Sequence, residues 1–169
     1  MTSDKTELQC VTFSLGSETF AVPVEVVREI LEHEDAFKIP YGPDYLLGLR
    51  DVRGHGVPVV DLRMKLGMEP TVKTADTRIL VLDVCVRDSQ LALGLVADKV
   101  HEVTPFRRDQ IEKAPDIGVS WRSDYIAGVV RRDNGFVIIV DLLRLFSDDS
   151  DVIASTVPGS SSAMQSATL

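Results

Sequence analysis

The chain has 169 residues, of which 44% are hydrophobic and 26% charged, and its formal net charge is −8 at pH 7. This acidic balance disfavours a nucleic-acid or anionic-lipid surface, which requires clustered positive charge. No run approaches the ~20 consecutive apolar residues of a membrane span, and the polar N-terminus lacks the apolar segment of a signal peptide. We therefore expect a cytoplasmic globular chain, either one domain or two small lobes that share a core, with no nucleic-acid partner and no direct membrane insertion.

The first elements in chain order are a predicted hairpin and a predicted helix. Near-alternating apolar residues favour strands at 8–15 and 19–22, joined by a turn that begins at Gly16. Pro23 is typical of a helix start. Apolar residues then recur at helical spacing, which predicts a short amphipathic helix over residues 24–32.

Residues 45–66 predict a strand, a tight Arg53-Gly54-His55-Gly56 turn, a second strand and a short helix. Asp61 stands where a helix N-cap is expected, and Gly67 where the helix should end. The polar, irregular residues 68–76 are interpreted as a crossing between two lobes.

The second half predicts strands at 78–86, 90–97 and 98–103, and a single helical turn at 107–111. A final hairpin at 125–131 and 136–140 is indicated by Asp133-Asn134-Gly135, followed by a helix at 142–146. Residues 1–7 and the Ser/Ala/Thr-rich residues 148–169 are expected to be flexible tails, because they cannot bury enough apolar area to offset their ordering entropy.

An internal repeat relates the two halves at an offset of 80 residues. The matching pairs are Tyr45 and Tyr125, Gly48 and Gly128, Val60 and Val140, Asp61 and Asp141, and Leu62 and Leu142. A gapless match over twenty-two positions predicts two copies of one unit. We expect a mainly β protein of about ten short strands in two lobes, at 8–69 and 77–147, each closing into a small barrel.

The turns of the two copies differ, since Arg53 is matched by Asp133. An arginine at the head of a strand can pair with a carboxylate, and Glu29 in the same half is a possible partner. Such a pair becomes important for binding when a protein contact removes it from water.

Residues with catalytic potential form no recognisable site. The three histidines lack metal-ligand spacing with Cys10 or Cys85, both cysteines are expected to be buried and reduced, and Asp61 and Asp141 are interpreted as duplicated helix caps. We predict no catalytic residues, no metal and no cofactor. A small thiol- or carboxylate-dependent enzyme using Cys85 or Asp61 stays as the alternative from another class.

A set of motifs in fixed order resembles the bacterial chemotaxis coupling proteins, the CheW family. The main motif, Gly48-Leu-Arg-Asp-Val-Arg-Gly54 followed by Val57-Pro-Val-Val-Asp-Leu-Arg63, is similar to the family's Gly-x-x-Asn-Leu-Arg-Gly and Ile-Pro-Val-x-Asp-Leu-Arg signature. Further matching segments lie at 13–30, 93–103, 125–128 and 137–146. The likeness covers about residues 8–147, which we take as one CheW-like domain.

The resemblance implies two side-by-side, five-stranded SH3-like β-barrels and a non-catalytic adaptor. Proteins of this kind couple the cytoplasmic tips of methyl-accepting chemoreceptors to the regulatory domain of a histidine autokinase, and they are recruited to membrane-associated receptor arrays where they can self-associate. By likeness, Arg53 and Glu29 would bind the kinase. The groove that takes the receptor would be lined by Val24, Val27, Ile79, Leu93, Gly94 and Val100.

The motif departs from the family pattern at Asp51, where the family usually has Asn. We expect this added carboxylate to compete for the Arg53 guanidinium and so to change the preference for partners. A second reading keeps the fold and changes the pathway, to an adaptor of a surface-motility or second-messenger system.

Overall fold

The structure is a computed structural model that describes residues 6–40, 42–86, 88–113, 125–132 and 135–147. The strands are β1 (Glu7–Leu15), β2 (Glu18–Pro23), β3 (Val27–Glu32), β4 (Leu46–Val52), β5 (His55–Asp61), β6 (Arg78–Val86), β7 (Ser89–Ala97), β8 (Lys99–Arg107), β9 (Ile126–Arg132) and β10 (Gly135–Val140). The helices are α1 (Leu62–Lys65) and α2 (Leu142–Ser147), and single 3-10 turns cover Val24–Val26 and Arg108–Gln110. The predicted tail 148–169, most of the predicted tail 1–7, and positions 133 and 134 of the predicted turn lie outside the described residues.

The strands form two five-stranded sheets, with the orders β8-β1-β2-β10-β9 and β3-β6-β7-β5-β4. The predicted mainly β class with two five-stranded units and short helices is therefore confirmed. Within each sheet the pairing is antiparallel except for one parallel contact, β2 with β10 in the first sheet and β5 with β7 in the second. Closure of either sheet into an SH3-like barrel stays a prediction.

The two sheets do not coincide with the two halves of the sequence. The first sheet combines β1 and β2 with β8, β9 and β10, whereas the second combines β3, β4 and β5 with β6 and β7. Each copy of the repeat thus gives its first hairpin to one sheet and its last three strands to the other. This arrangement differs from the lobes at 8–69 and 77–147 that the repeat suggested. It joins two units of about 65 residues, each marginal alone, into one structure.

The largest buried cluster contains side chains from both sheets and both helices. Phe13 and Phe20 stack with ring centroids 6.0 Å apart, and Leu82, Leu93 and Phe146 belong to the same cluster. Because the two copies contribute to one interior, neither can bury its apolar surface without the other.

The repeated glycines are explained by a close backbone approach. The Phe37 N–H donates to the Leu49 carbonyl at 2.7 Å and the Leu49 N–H to the Phe37 carbonyl at 2.8 Å, which brings Phe37 onto Gly48. A Cβ at Gly48, whose φ is 145°, would collide with the Phe37 carbonyl. The second copy repeats this arrangement, because a Cβ at Gly128 would collide with Ile111. Only glycine leaves room for the residues that pack against these two positions, Phe37 and Ile111.

The predicted capping role of Asp61 is confirmed. Its Oδ1 accepts a hydrogen bond from the Arg63 N–H at 3.0 Å at the start of α1. In the second copy, Asp141 Oδ1 accepts from the Arg144 N–H at 3.2 Å. Both aspartates also donate their own N–H, at 2.8 Å, to the carbonyls of Tyr45 and Tyr125 respectively.

The predicted helix over residues 24–32 is wrong. Only Val24–Val26 form a 3-10 turn, and Val27–Glu32 are strand β3, in which half-buried and exposed residues alternate. The apolar residues of this segment have helical spacing, whereas the half-buried positions of the strand are 27, 29 and 31, and one of these is Glu29. The antiparallel partner β6, which sets Val27 opposite Leu82 and Leu31 opposite Ile79, supplies the backbone hydrogen bonds that decide for the strand.

Candidate functional site

Arg53 occupies a two-residue turn between β4 and β5. Val52 is paired with His55, and the intervening Arg53 and Gly54 have φ values of 53° and 84°. Two-residue hairpin loops favour positive φ at both positions because that backbone twist matches the twist of the strands. Glycine and asparagine are the residues preferred there, so an arginine at the first position is unusual.

The structure brings Arg53 and Glu29 together. Arg53 donates from Nε at 3.3 Å and from Nη2 at 3.1 Å, both to Glu29 Oε2. The Arg53 side chain is 80% exposed, whereas that of Glu29 is 18% exposed. The hydrogen bond to Glu29 and the charge of that carboxylate raise the pKa of Arg53 above its usual value. Glu29 Oε1 is buried and accepts no hydrogen bond from any described residue.

A second arginine, Arg50 of β4, also reaches β3. Arg50 donates from Nη1 to the Glu32 carbonyl, and its Nη2 lies 3.6 Å from Glu34 Oε2. Since β3 and β4 are the two outermost strands of the second sheet, the Arg50 hydrogen bond to Glu32 and the Arg53 ion pair with Glu29 link the opposite margins of that sheet. The sequence pattern did not single out Arg50, although it lies within the main motif.

Asp51 does not compete for the Arg53 guanidinium, contrary to the expectation from the sequence. Its Oδ1 accepts a hydrogen bond from the Gly54 N–H at 2.9 Å, across the turn. Arg53 directs its donors to Glu29 instead.

The six residues predicted to line the receptor groove separate into two groups. Ile79 and Leu93 are 1% and 0% exposed, and Gly94 is also buried, so these three lie inside the protein. A Cβ on Gly94 would lie 2.9 Å from Ile79 Cγ2, which indicates a packing role for this glycine.

The other three predicted groove residues retain accessible surface. Val24 is 38% exposed, and Val27 and Val100 are half-buried against the same interior cluster. Val27 pairs with Leu82 on β6, and Val100 pairs with Phe13 on β1. These two valines therefore occupy corresponding places in the two sheets.

The candidate catalytic groups have structural surroundings. Cys10 is buried, and burial raises the pKa of its thiol to about 11 despite the opposing effect of Arg108. Cys85 is exposed, so the expectation that both thiols are buried is wrong for Cys85, which lies near the end of β6. Asp61 has both carboxylate oxygens engaged, by Arg63 and Thr71. Across the described residues, no group of three or more His, Cys, Asp or Glu side chains could hold a metal ion.

Comparison with known proteins decides the family. A family profile described as the CheW-like domain matches residues 9–150. The chain belongs to the CheW-like family. A relative, the chemotaxis protein CheW of Klebsiella aerogenes, is 28% identical over 145 residues, which cover 86% of this chain and 85% of that protein. The CheW of Bacillus subtilis is 28% identical over 155 residues, covering 91% and 95%.

A solved structure agrees with this assignment. The scaffolding protein TtCheW from Thermoanaerobacter tengcongensis matches with a TM-score of 0.75 and 28% identity, covering 86% of this chain and 92% of that one. The predicted resemblance and the predicted class, a non-catalytic chemotaxis adaptor and not an enzyme, are confirmed by these relatives. No helix among the described residues is long and apolar enough to cross a membrane.

Proposed function

We propose that this CheW-like chain couples chemoreceptors to a histidine autokinase in the cytoplasm, at membrane-associated receptor arrays. The kinase's regulatory domain docks on the surface formed by Arg53 and Glu29. The cytoplasmic tip of the receptor docks on the partly exposed valines Val24, Val27 and Val100. The observation that carries the proposal is the ion pair at the β4–β5 turn, in which an exposed guanidinium is oriented by a largely buried carboxylate.

This ion pair is suited to recognition. Both donors that Arg53 gives to Glu29 converge on one oxygen, so the terminal Nη1 makes no hydrogen bond to Glu29. While the pair faces water it adds little to folding stability, because solvent screens it. When a partner covers it, truncation of either member leaves the other charge desolvated without its counter-ion, and binding suffers much more than folding.

The proposed receptor surface rests on burial. Ile79, Leu93 and Gly94 are buried and cannot touch a partner directly. They would support the receptor surface by packing beneath it. Direct contact is left to Val24, Val27 and Val100.

The test of kinase docking is calorimetric titration with the purified regulatory domain of the source organism's chemotaxis kinase. Arg53→Ala and Glu29→Ala are each expected to weaken binding by about tenfold or more. Arg131→Ala is the matched control, because Arg131, on β9 of the first sheet, is 74% exposed and forms an exposed ion pair with Glu112 at 2.9 Å. Equal affinities for Arg53→Ala and the unaltered protein, with folding intact in both, would remove the site.

A second candidate function keeps the docking mechanism and changes the pathway to surface motility or second-messenger signalling. It is favoured by the similarity to Protein PilI of Pseudomonas aeruginosa, a relative not named for chemotaxis, with 26% identity over 76% of this chain and 70% of that protein. Identification of the receptors and kinase that co-purify with the native protein separates the two. Recovery of a kinase encoded with flagellar genes would support the first candidate.

A further inference from the structure

The backbone at Arg53 needs a local restraint. Arg53 has a φ of 53°, in the left-handed region that L-residues other than glycine, asparagine and aspartate rarely adopt. Its side chain is 80% exposed, so packing provides little to hold the residue in this conformation. Conformations of this kind persist only where surrounding interactions fix them.

Asp51 supplies such a restraint. Its Oδ1 accepts the Gly54 N–H at 2.9 Å, a bond that spans the turn from the last residues of β4 to the residue after Arg53. Asp51 is also opposite Gly56 in the β4–β5 pairing, so its own backbone is fixed by the sheet. The hydrogen bond therefore connects a fixed strand position to the peptide group between Arg53 and Gly54, which restrains the backbone of Arg53.

We propose that Asp51 is a positioning residue for Arg53: by accepting the Gly54 N–H, it holds the turn in the conformation that directs the guanidinium to Glu29. The proposal rests on the kinase-docking function proposed above and deepens it. Because Oδ1 acts as an acceptor, and because Arg53 turns its donors to Glu29 and not to Asp51, the oxygen is required and the charge is not.

Two substitutions of Asp51 separate the role of its acceptor oxygen from the role of its negative charge. Asp51→Asn keeps an acceptor oxygen and removes the charge, whereas Asp51→Ala removes both. Positioning is measured without any partner, from the amide exchange rate of Gly54 and from the Nε–H resonance of Arg53 in NMR spectra of the full chain. Docking is measured separately, by calorimetry with the purified regulatory domain of the kinase, and Arg53→Ala is included.

Asp51→Ala is expected to speed Gly54 amide exchange by about threefold to tenfold, the effect of losing one turn hydrogen bond. It should also shift the Arg53 Nε–H resonance toward that of a free arginine and weaken kinase binding by a similar factor. Asp51→Asn should leave all three measurements within about twofold of the unaltered protein.

Two results overturn the proposal. One is an unchanged Gly54 exchange rate and Arg53 resonance in Asp51→Ala. The other is equal loss in Asp51→Asn and Asp51→Ala, which would show that the charge is what matters. Failure of the docking function gives a different pattern, in which Arg53→Ala binds the kinase normally while the two NMR measurements still respond to Asp51→Ala and not to Asp51→Asn.

Discussion

The duplicated aspartates Asp61 and Asp141 are expected to differ in their contribution to stability. Asp61 is 2% exposed and accepts three hydrogen bonds: from the Arg63 N–H at 3.0 Å, the Thr71 N–H at 3.0 Å and the Thr71 hydroxyl at 2.9 Å. Asp141 has a side chain that is 30% exposed; among the described residues it accepts one hydrogen bond, from the Arg144 N–H at 3.2 Å, and the Arg144 guanidinium lies 3.8 Å away. Within the described part of the chain, two equivalent sequence positions thus carry unequal numbers of hydrogen bonds.

The magnitudes follow from the number of bonds. At about 1 kcal/mol for each hydrogen bond lost, Asp61→Ala is expected to lower the free energy of unfolding by ~3 kcal/mol, and Asp141→Ala by ~1 kcal/mol. For a chain of this size the corresponding falls in Tm are ~6–12 °C and ~2–4 °C. Asp61→Asn should fall between Asp61→Ala and the unaltered protein, because one of its two terminal groups remains an acceptor.

Urea denaturation followed by circular dichroism measures both variants on one scale. A loss that is the same for Asp61→Ala and Asp141→Ala would refute the reasoning, since it would mean that the two bonds to Thr71 contribute nothing. A Thr71→Val variant checks the attribution, and it should lose part of the ~3 kcal/mol, because it removes the hydroxyl and keeps the backbone N–H.

The remaining predictions concern the receptor surface and the thiols. Val24→Asp should weaken binding of a soluble chemoreceptor cytoplasmic fragment by about tenfold, because contact would bury an unpaired carboxylate, whereas Val72→Asp, at a 78% exposed valine in the crossing segment, should bind normally in co-sedimentation. With a thiol reagent the native protein should react rapidly at the exposed Cys85, and Cys10 should react only after unfolding; two fast thiols would contradict the burial of Cys10. Because the pKa of Cys10 is raised from 9.0 to about 11, the unfolded chain loses this proton first, so the free energy of unfolding should fall as pH rises from about 9 to about 11, more steeply than in Cys10→Ala.

Several strands, turns and caps were predictable from the sequence because they depend on residues close together in the chain. The strand at 78–86 and the hairpin at residues 45–61 follow from apolar runs bounded by turn residues. The cap at Asp61 follows from a short polar side chain before a leucine. The pairing of Arg53 with Glu29 was also anticipated, from residue types and family resemblance. The helix at 24–32 was wrong because apolar spacing alone indicated it, whereas pairing with β6 makes residues 27–32 a strand.

What the sequence by itself determined is the duplicated unit and its caps at 61 and 141, because a helix cap is satisfied within a few residues. The glycines at 48 and 128 repeat in the sequence, but the reason for them is tertiary, since Phe37 and Ile111 pack against them. The tertiary structure decided which strands share a sheet and paired residues 27–32 with β6. It also buried Ile79 and Leu93 while leaving Cys85 exposed, and it directed Asp51 to the Gly54 N–H instead of to Arg53. Each of these depends on a neighbour that the folded chain brings into contact. A hydrogen-bond partner or a burial depth is set by that neighbour, and the period of a short segment carries no information about it.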